Sequence, residues 1–159
     1  MGTRMNFFRD DSQSIRTMLQ MEEITASEKK AKILVVDDDP MFCRMMQRIA
    51  SMKGISVVTI SSFAEAQGLD AREFDVAILD YMLDQQGTGL DVASNLSGDM
   101  YTTPVILVSH TSNIPGTRQW PASVREFIHK NFGPYVILDA AIEAFDIANL
   151  QRDISKKMM

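Results

Sequence analysis

At 159 residues and 17.9 kDa, with 45% hydrophobic and 23% charged residues, the chain suits one globular domain with a modest appendage. That length leaves no room for a second catalytic or DNA-binding domain. A net charge of -5 and a pI near 5.0 disfavour broad binding to nucleic-acid phosphates or anionic membranes, so protein partners are expected and direct DNA binding is not. Cys43 is the single cysteine, which excludes an internal disulfide and a thiolate metal cluster and points to a structural thiol. The first ten residues are polar and charged around Phe7 and Phe8, with no secretory apolar core, and Asn6 breaks the myristoylation pattern. The apolar runs are too short to span a bilayer. A cytoplasmic protein without a membrane anchor is expected.

In chain order, residues 1–30 come first, with Ile15, Met18 and Leu19 at helical spacing behind a cap at Asp11 or Ser12. They predict an N-terminal extension, either a flexible tail or a short helix that docks or makes a homodimer. From Ala31 onward short apolar runs alternate with amphipathic stretches. Lys32–Val36, Ser56–Ile60, Asp75–Leu79, Pro104–Val108 and Arg125–His129 read as strands, and the first, third and fourth are almost continuously Ile, Leu and Val, as parallel strands covered on both faces require. Asp39 can cap a helix with Pro40 at its first position, placing Phe42, Met45, Met46 and Ile49 on one core-facing stripe. Ser62 can cap a second helix through Ala71, Gly89 to Leu96 suits a third, and Pro134 opens a last one carrying Leu138, Ala141, Ile142, Phe145 and Ala148. Between Thr111 and Ser123 a helix is due, but Pro115, Gly116 and Pro121 interrupt it, so it is expected short, broken or absent. No internal repeat or low-complexity tract is present, and no output domain is expected after the last helix. The fold class is therefore α/β, of the (βα)5 type, with a shortened or broken fourth helix. The expected boundaries are 1–30 for the extension, 31–153 for the domain and 154–159 for a C-terminal tail.

In an open parallel sheet, ligands bind beyond the carboxyl ends of the strands. Here the first strand runs into Asp37, Asp38 and Asp39, the third into Asp80, the fourth into Ser109 and the fifth into Lys130, so all lie at one sheet edge. Gathering carboxylates is electrostatically costly, and the usual remedy is a hard divalent cation with oxygen ligands, here Mg²⁺. With the metal in place one carboxylate can attack phosphorus, while a lysine and a hydroxyl stabilise the transferring oxygens.

The segments KILVVDDDP, DVAILDYML, PVILVS and FIHK, across roughly residues 31–153, resemble the receiver domains of two-component response regulators. The resemblance implies a flavodoxin-like three-layer sandwich around a parallel five-stranded sheet of order 2-1-3-4-5. It implies that Asp37 and Asp38 are the acidic pair, Asp80 the phosphoacceptor, Ser109 the Ser/Thr switch residue, Lys130 the characteristic lysine and Phe127 the aromatic switch residue. It implies Mg²⁺ held by Asp38, Asp80 and the backbone carbonyl of Met82, with Asp37 acting through water. It also implies a histidine kinase or histidine phosphotransfer protein as donor, a downstream protein target, and a switch with self-catalysed phosphorylation and slow autodephosphorylation instead of a turnover enzyme.

Four features depart from the family pattern. Asp84 stands where Pro is common, and Gly89 comes one residue late, which predicts a longer loop after Asp80. His110 follows Ser109 where a small residue is preferred. Asn131 follows Lys130 where Pro, with a cis bond, is usual; a cis non-proline bond costs about 3–4 kcal/mol, so a trans bond is expected. The fourth is the broken 111–123 segment, where Trp120 either covers the sheet or faces a partner. His129 is expected to pack within its strand. Two alternatives accompany this reading: a phosphorylation-independent pseudo-receiver that serves as an interaction module, motivated by those loops, and a haloacid-dehalogenase-like phosphatase, motivated by Asp37-x-Asp39 after an apolar strand.

Overall fold

The computed structural model describes residues 30–96 and 103–159. The helix or tail expected within residues 1–29 lies outside the described residues. β1 (Lys32–Val36), β2 (Ser56–Ile60), β3 (Val76–Asp80), β4 (Val105–Ser109) and β5 (Val124–His129) form one parallel sheet in the order β2-β1-β3-β4-β5. β3 and β4 each run one residue later than the expected Asp75–Leu79 and Pro104–Val108, with Asp80 and Ser109 as their last residues, and β5 begins one residue earlier than expected, at Val124.

Alternation along the strands divides the core between the two faces of the sheet. On one face Ile33, Val35, Ile78, Ile106, Val108 and Ile128 meet α1 (Pro40–Met52) and the long α4 (Pro134–Met158) through Phe42, Met46, Ile49, Ile137, Leu138, Ala141 and Phe145. On the other, Leu34, Val36, Ala77, Leu79, Val105 and Leu107 meet Ala66, Leu83, Leu90, Val92 and Leu96 around α2 (Phe63–Gln67) and α3 (Gly89–Asn95). β1, β3 and β4 are buried on both faces apart from the first residue of β1. β5 is an edge strand whose irregular register against β4 leaves Arg125 and Glu126 exposed. Charges of this kind discourage pairing with a foreign strand.

Asp39 caps α1 by accepting from the Met41 amide at 2.9 Å, with Pro40 in the first turn, as its sequence predicts. The stripe differs at one place: Met45 is exposed, and Cys43 and Ala50 take up the buried face. α2 is shorter than expected. It stops at Gln67 because Gly68 ends it, and Asp70 starts a separate 3-10 turn, Ala71–Glu73, by accepting from the Arg72 amide and guanidinium.

No α-helix joins β4 to β5; a 3-10 turn at Thr117–Gln119 takes its place. Pro115 and Pro121 remove the backbone donors a helix would need, and the indole N–H of Trp120 donates to the Pro115 carbonyl at 2.9 Å. Ile114 and Trp120 then cover the sheet face where helical side chains would have packed. Residues 154–158, expected as a tail, continue α4 to Met158. No described helix is long and apolar enough to cross a membrane.

Candidate functional site

The carboxyl ends of β1, β3, β4 and β5 bring together a cavity of about 370 Å³ whose lining includes Asp38, Asp39, Asp80, Met82, Ser109 and Lys130. Asp37 lies beneath it, 1% exposed, with Oδ1 accepting from the Asp39 amide at 2.9 Å. The Lys130 ammonium, itself buried, stands 2.6 Å from Asp37 Oδ2 and 3.3 Å from Asp80 Oδ2. It also sits over the Phe42 ring, 4.8 Å from the centroid, a cation–π contact at the first turn of α1. None of the described peptide bonds is cis, so Lys130 reaches both carboxylates through a trans bond to Asn131. The 3-10 turn Lys130–Phe132 begins there, and His129 Nδ1 accepts from the Asn131 amide at 3.1 Å.

Burial, then the neighbouring Asp37 charge, pushes the Asp80 carboxyl up to about 6, although the Lys130 ammonium pulls the other way. Burial disfavours the Lys130 charge, but its contacts with Asp37 and Asp80 outweigh this, and its pKa is raised. The Cys43 thiol, donating to the Asp37 carbonyl at 3.3 Å, is pushed up to about 11 by burial first and then by the aspartates, which keeps it protonated and structural.

Among the described residues, ligand oxygens of Asp37, Asp38 and Asp80 lie within 4.8 Å of one another. The Lys130 ammonium pairs with Asp37 and Asp80, so the three clustered carboxylates exceed the positive charge beside them. An excess of hard oxygen donors is the donor set that suits Mg²⁺.

Asp84 does not join the cluster. Its carboxylate accepts from the Phe63 amide at 3.0 Å and the Gln86 amide at 2.9 Å, which hold it below the usual carboxylate range. The long loop after Asp80 is thereby fastened to the start of α2. A Cβ at Gly87 would overlap the Phe63 ring, so the loop passes α2 closely. At Gly89 a Cβ would overlap the Asp80 carbonyl oxygen, and the Gly89 amide donates to the Tyr81 carbonyl at 3.0 Å. Gly89→Ala is expected to destabilise the fold by about 1–3 kcal/mol by forcing the end of β3 aside. Urea unfolding checks this; an unchanged midpoint would mean the loop yields instead.

Ser109 is 1% exposed and its Oγ accepts from the Thr111 amide at 3.2 Å. His110 is exposed at the cavity rim. Phe127 is half-buried against the core on the α2–α3 face and does not line the cavity. Two contributors escaped the sequence reading: Phe42, which read as core and also supports Lys130, and Gly89, whose close approach to Asp80 is set by the return of a loop. The late glycine was the only signal for the second.

The response regulator receiver domain family matches residues 33–142 of the chain. The chain belongs to that family. The receiver domain is similar to the alginate biosynthesis transcriptional regulatory protein AlgB of Pseudomonas aeruginosa, 29% identical over 79% of this chain and 28% of that protein. It is also similar to the transcriptional regulatory protein KdpE of Mycobacterium tuberculosis, 29% identical over 64% of this chain and 45% of that protein. It thus spans about a quarter to a half of the length of these curated relatives. Among solved structures, the response regulator StyR superposes with a TM-score of 0.69 at 20% identity, covering 82% of this chain and 66% of that one. A CheY-like receiver domain from Methanospirillum hungatei does so at 0.62 and 18%, covering 77% and 99%. These structures share the fold. Receiver domains are, as a family, switches phosphorylated on an aspartate, generally without turnover activity, and they bind Mg²⁺ at an acidic pocket; this one has such a cluster of aspartates.

Proposed function

We propose that this receiver domain accepts a phosphoryl group on Asp80 from the phosphohistidine of a histidine kinase or histidine phosphotransfer protein and passes its signal by protein–protein contact. The observation that carries this reading is the placement of Asp80. It ends a buried strand, borders the cavity, and shares Lys130 with Asp37.

An Asp80 carboxylate oxygen would form the new O–P bond while the P–N bond to the donor imidazole breaks, and the imidazole nitrogen leaves with the bonding pair. Asp38, Asp80 and the Met82 carbonyl would hold Mg²⁺, with Asp37 acting through water, and the ion would supply positive charge for the transferring oxygens. Lys130 would neutralise part of the same charge from the buried side of the site. Ser109, whose Oγ is now engaged by the Thr111 amide, would exchange that contact for a phosphoryl oxygen, with Phe127 repacking behind it. The chain would act at the edge of a signalling contact and bind no DNA itself.

Two observations reduce the alternatives. Asp84, one of three residues that with His110 and Asn131 motivated a phosphorylation-independent module, is occupied at α2. Asp39, the acid of a dehalogenase-like phosphatase, is occupied capping α1.

Intact mass after incubation with acetyl phosphate is expected to show one added phosphoryl group per chain with Mg²⁺ and none with chelator. No addition under any condition would leave an interaction module that does not use Asp80. Many turnovers of a generic phosphate ester would instead restore the phosphatase reading.

A further inference from the structure

The loop from Asp80 to α3 is held on both sides of Met82. Before it, the Tyr81 amide donates to the Val108 carbonyl at 2.9 Å and the Tyr81 carbonyl accepts from the Gly89 amide at 3.0 Å. Beyond it, Leu83 is buried in the core of the α2–α3 face and Asp84 reaches across to α2. The two Asp84 oxygens have separate tasks. Oδ1 accepts from the Gln86 amide at 2.9 Å, which shapes the loop, and Oδ2 accepts from the Phe63 amide at 3.0 Å, which ties the loop to another element. Burial of Leu83 is non-directional and leaves the peptide plane after Met82 free to tilt, whereas a hydrogen bond to a fixed donor constrains it. α2 in turn depends on its caps. It has five residues, of which only Ala66 is fully buried, and helices this short are marginal alone. Its first turn rests on Ser62, which accepts from the Glu65 amide at 3.2 Å, and on Asp84.

We propose that Asp84 is a positioning residue for the metal site: by clamping the loop to α2 it sets the Met82 carbonyl in place before Mg²⁺ binds, and the ion and the start of α2 stabilise each other through it. Met82 lies between Asp80 and Asp84 in the chain, lines the cavity, and donates its amide to the Asp80 carboxylate, so a shift of the loop at Asp84 is felt at the cavity. Mg²⁺ tolerates little departure from octahedral geometry, and a loop that had to be ordered on binding would lower the affinity by its conformational entropy. The charge of Asp84 is not the agent. Its carboxylate is engaged by two amides and stands outside the cluster of Asp37, Asp38 and Asp80. Linkage makes the effect reciprocal: the factor by which the clamp raises Mg²⁺ affinity is the factor by which bound Mg²⁺ stabilises the clamp. The inference rests on the Mg²⁺ assignment proposed above.

Asp84→Asn keeps the size of the side chain and an oxygen for the Gln86 amide, but it sets an amide NH₂ against the Phe63 N–H. In an NMR titration of the metal-free chain with MgCl₂, read at the Asp80 and Met82 amides, it is expected to raise the dissociation constant about tenfold, the scale on which partners of metal ligands act. A merely structural role would lower the urea midpoint and leave that constant unmoved. Phe63→Pro separates the clamp from the charge. Phe63 is the first residue of α2 and follows Ser62 at φ −142° and ψ 156°, extended backbone that accepts a following proline. Proline there removes the amide that Asp84 holds, whereas Phe63→Ala removes only the ring. Asp84→Asn is expected to weaken Mg²⁺ binding about tenfold again in the Phe63→Ala background and by less than about twofold in Phe63→Pro. If Phe63→Pro does not fold, hydrogen exchange of the Phe63 amide is read in its place: Mg²⁺ is expected to slow it about tenfold in the parent and not in Asp84→Asn. A dissociation constant that Asp84→Asn leaves unchanged overturns the proposal and spares the Mg²⁺ assignment. So does an equal loss in the two Phe63 backgrounds, which would make Asp84 act by charge alone, and so does exchange that Mg²⁺ slows equally in parent and variant. Asp80 and Met82 amides that ignore MgCl₂ in the parent would remove the Mg²⁺ assignment and this proposal with it.

Discussion

Asp80→Asn is expected to abolish phosphoryl uptake and, in metal-free protein, to stabilise the fold at alkaline pH. The first effect is chemical: a carboxamide offers no anionic oxygen to attack phosphorus, so the mass gain from acetyl phosphate should vanish. The second follows from the environment of the carboxyl. Its pKa rises from an ordinary 3.8 to about 6, from burial first and the Asp37 charge second. A raised carboxyl pKa means that the folded state disfavours the ionised form. The penalty is absent below about pH 4, grows between 3.8 and about 6, and is constant above, where it amounts to roughly 2–3 kcal/mol. Asn loses the Lys130 contact at 3.3 Å but carries no charge to desolvate. Urea unfolding with chelator should therefore show Asp80→Asn more stable than the parent by about 1–3 kcal/mol at pH 8, with the gap closing toward pH 4. A gain of equal size at both pH values would show that packing, not charge, separates the two. Mg²⁺ should stabilise the parent more than the variant, because the variant has lost one ligand charge.

Lys130→Met is expected to have the opposite effect on stability and a similar one on function. The methionine keeps an unbranched chain under Phe42 but leaves Asp37 and Asp80 buried with no cation between them. Removing one partner of a buried ion pair typically costs about 3–5 kcal/mol, since the desolvation of the remaining charge is no longer offset. Here two carboxylates share the one ammonium, so a loss of about 3 kcal/mol or more is expected at pH 8. The prediction has an internal control. Adding Asp80→Asn to Lys130→Met removes one of the stranded charges and should raise stability at pH 8 by more than Asp80→Asn does in the parent, where the lysine already offsets part of that charge. An equal gain in the two backgrounds would mean that the lysine acts through packing. Phosphoryl uptake by Lys130→Met should slow about a hundredfold or more, the usual result of deleting one donor to a transferring group.

Much of the fold was legible because it rests on short-range patterns. Apolar runs of five residues, the Asp39–Pro40 start of α1 and the prolines of 111–123 each act within a few residues of themselves, and the structure follows them with shifts of one residue at β3 and β4. The site was legible for a related reason. Asp37, Asp38, Asp80, Ser109 and Lys130 each end or follow a strand, and parallel strands share one carboxyl edge, so their meeting required only the topology.

What escaped depended on which distant surfaces happened to meet. Asp84 read only as a loop charge where Pro is common, and only the fold shows its carboxylate taken up by the Phe63 amide, twenty-one positions earlier. Met45 fits the apolar stripe by spacing yet lies just past the edge of what α1 covers. Phe42 had to be placed beside the end of β5 before its contact with Lys130 could be seen. The sequence by itself determined the strands, their shared carboxyl edge and the identities of the groups at it, since periodicity and connection length act locally along the chain, while the strand order came from the family resemblance. Only the tertiary structure decided the protonation balance of Asp80, the anchoring of its loop and how much of α4 is buried, because burial and charge pairing arise from contacts between residues far apart in sequence.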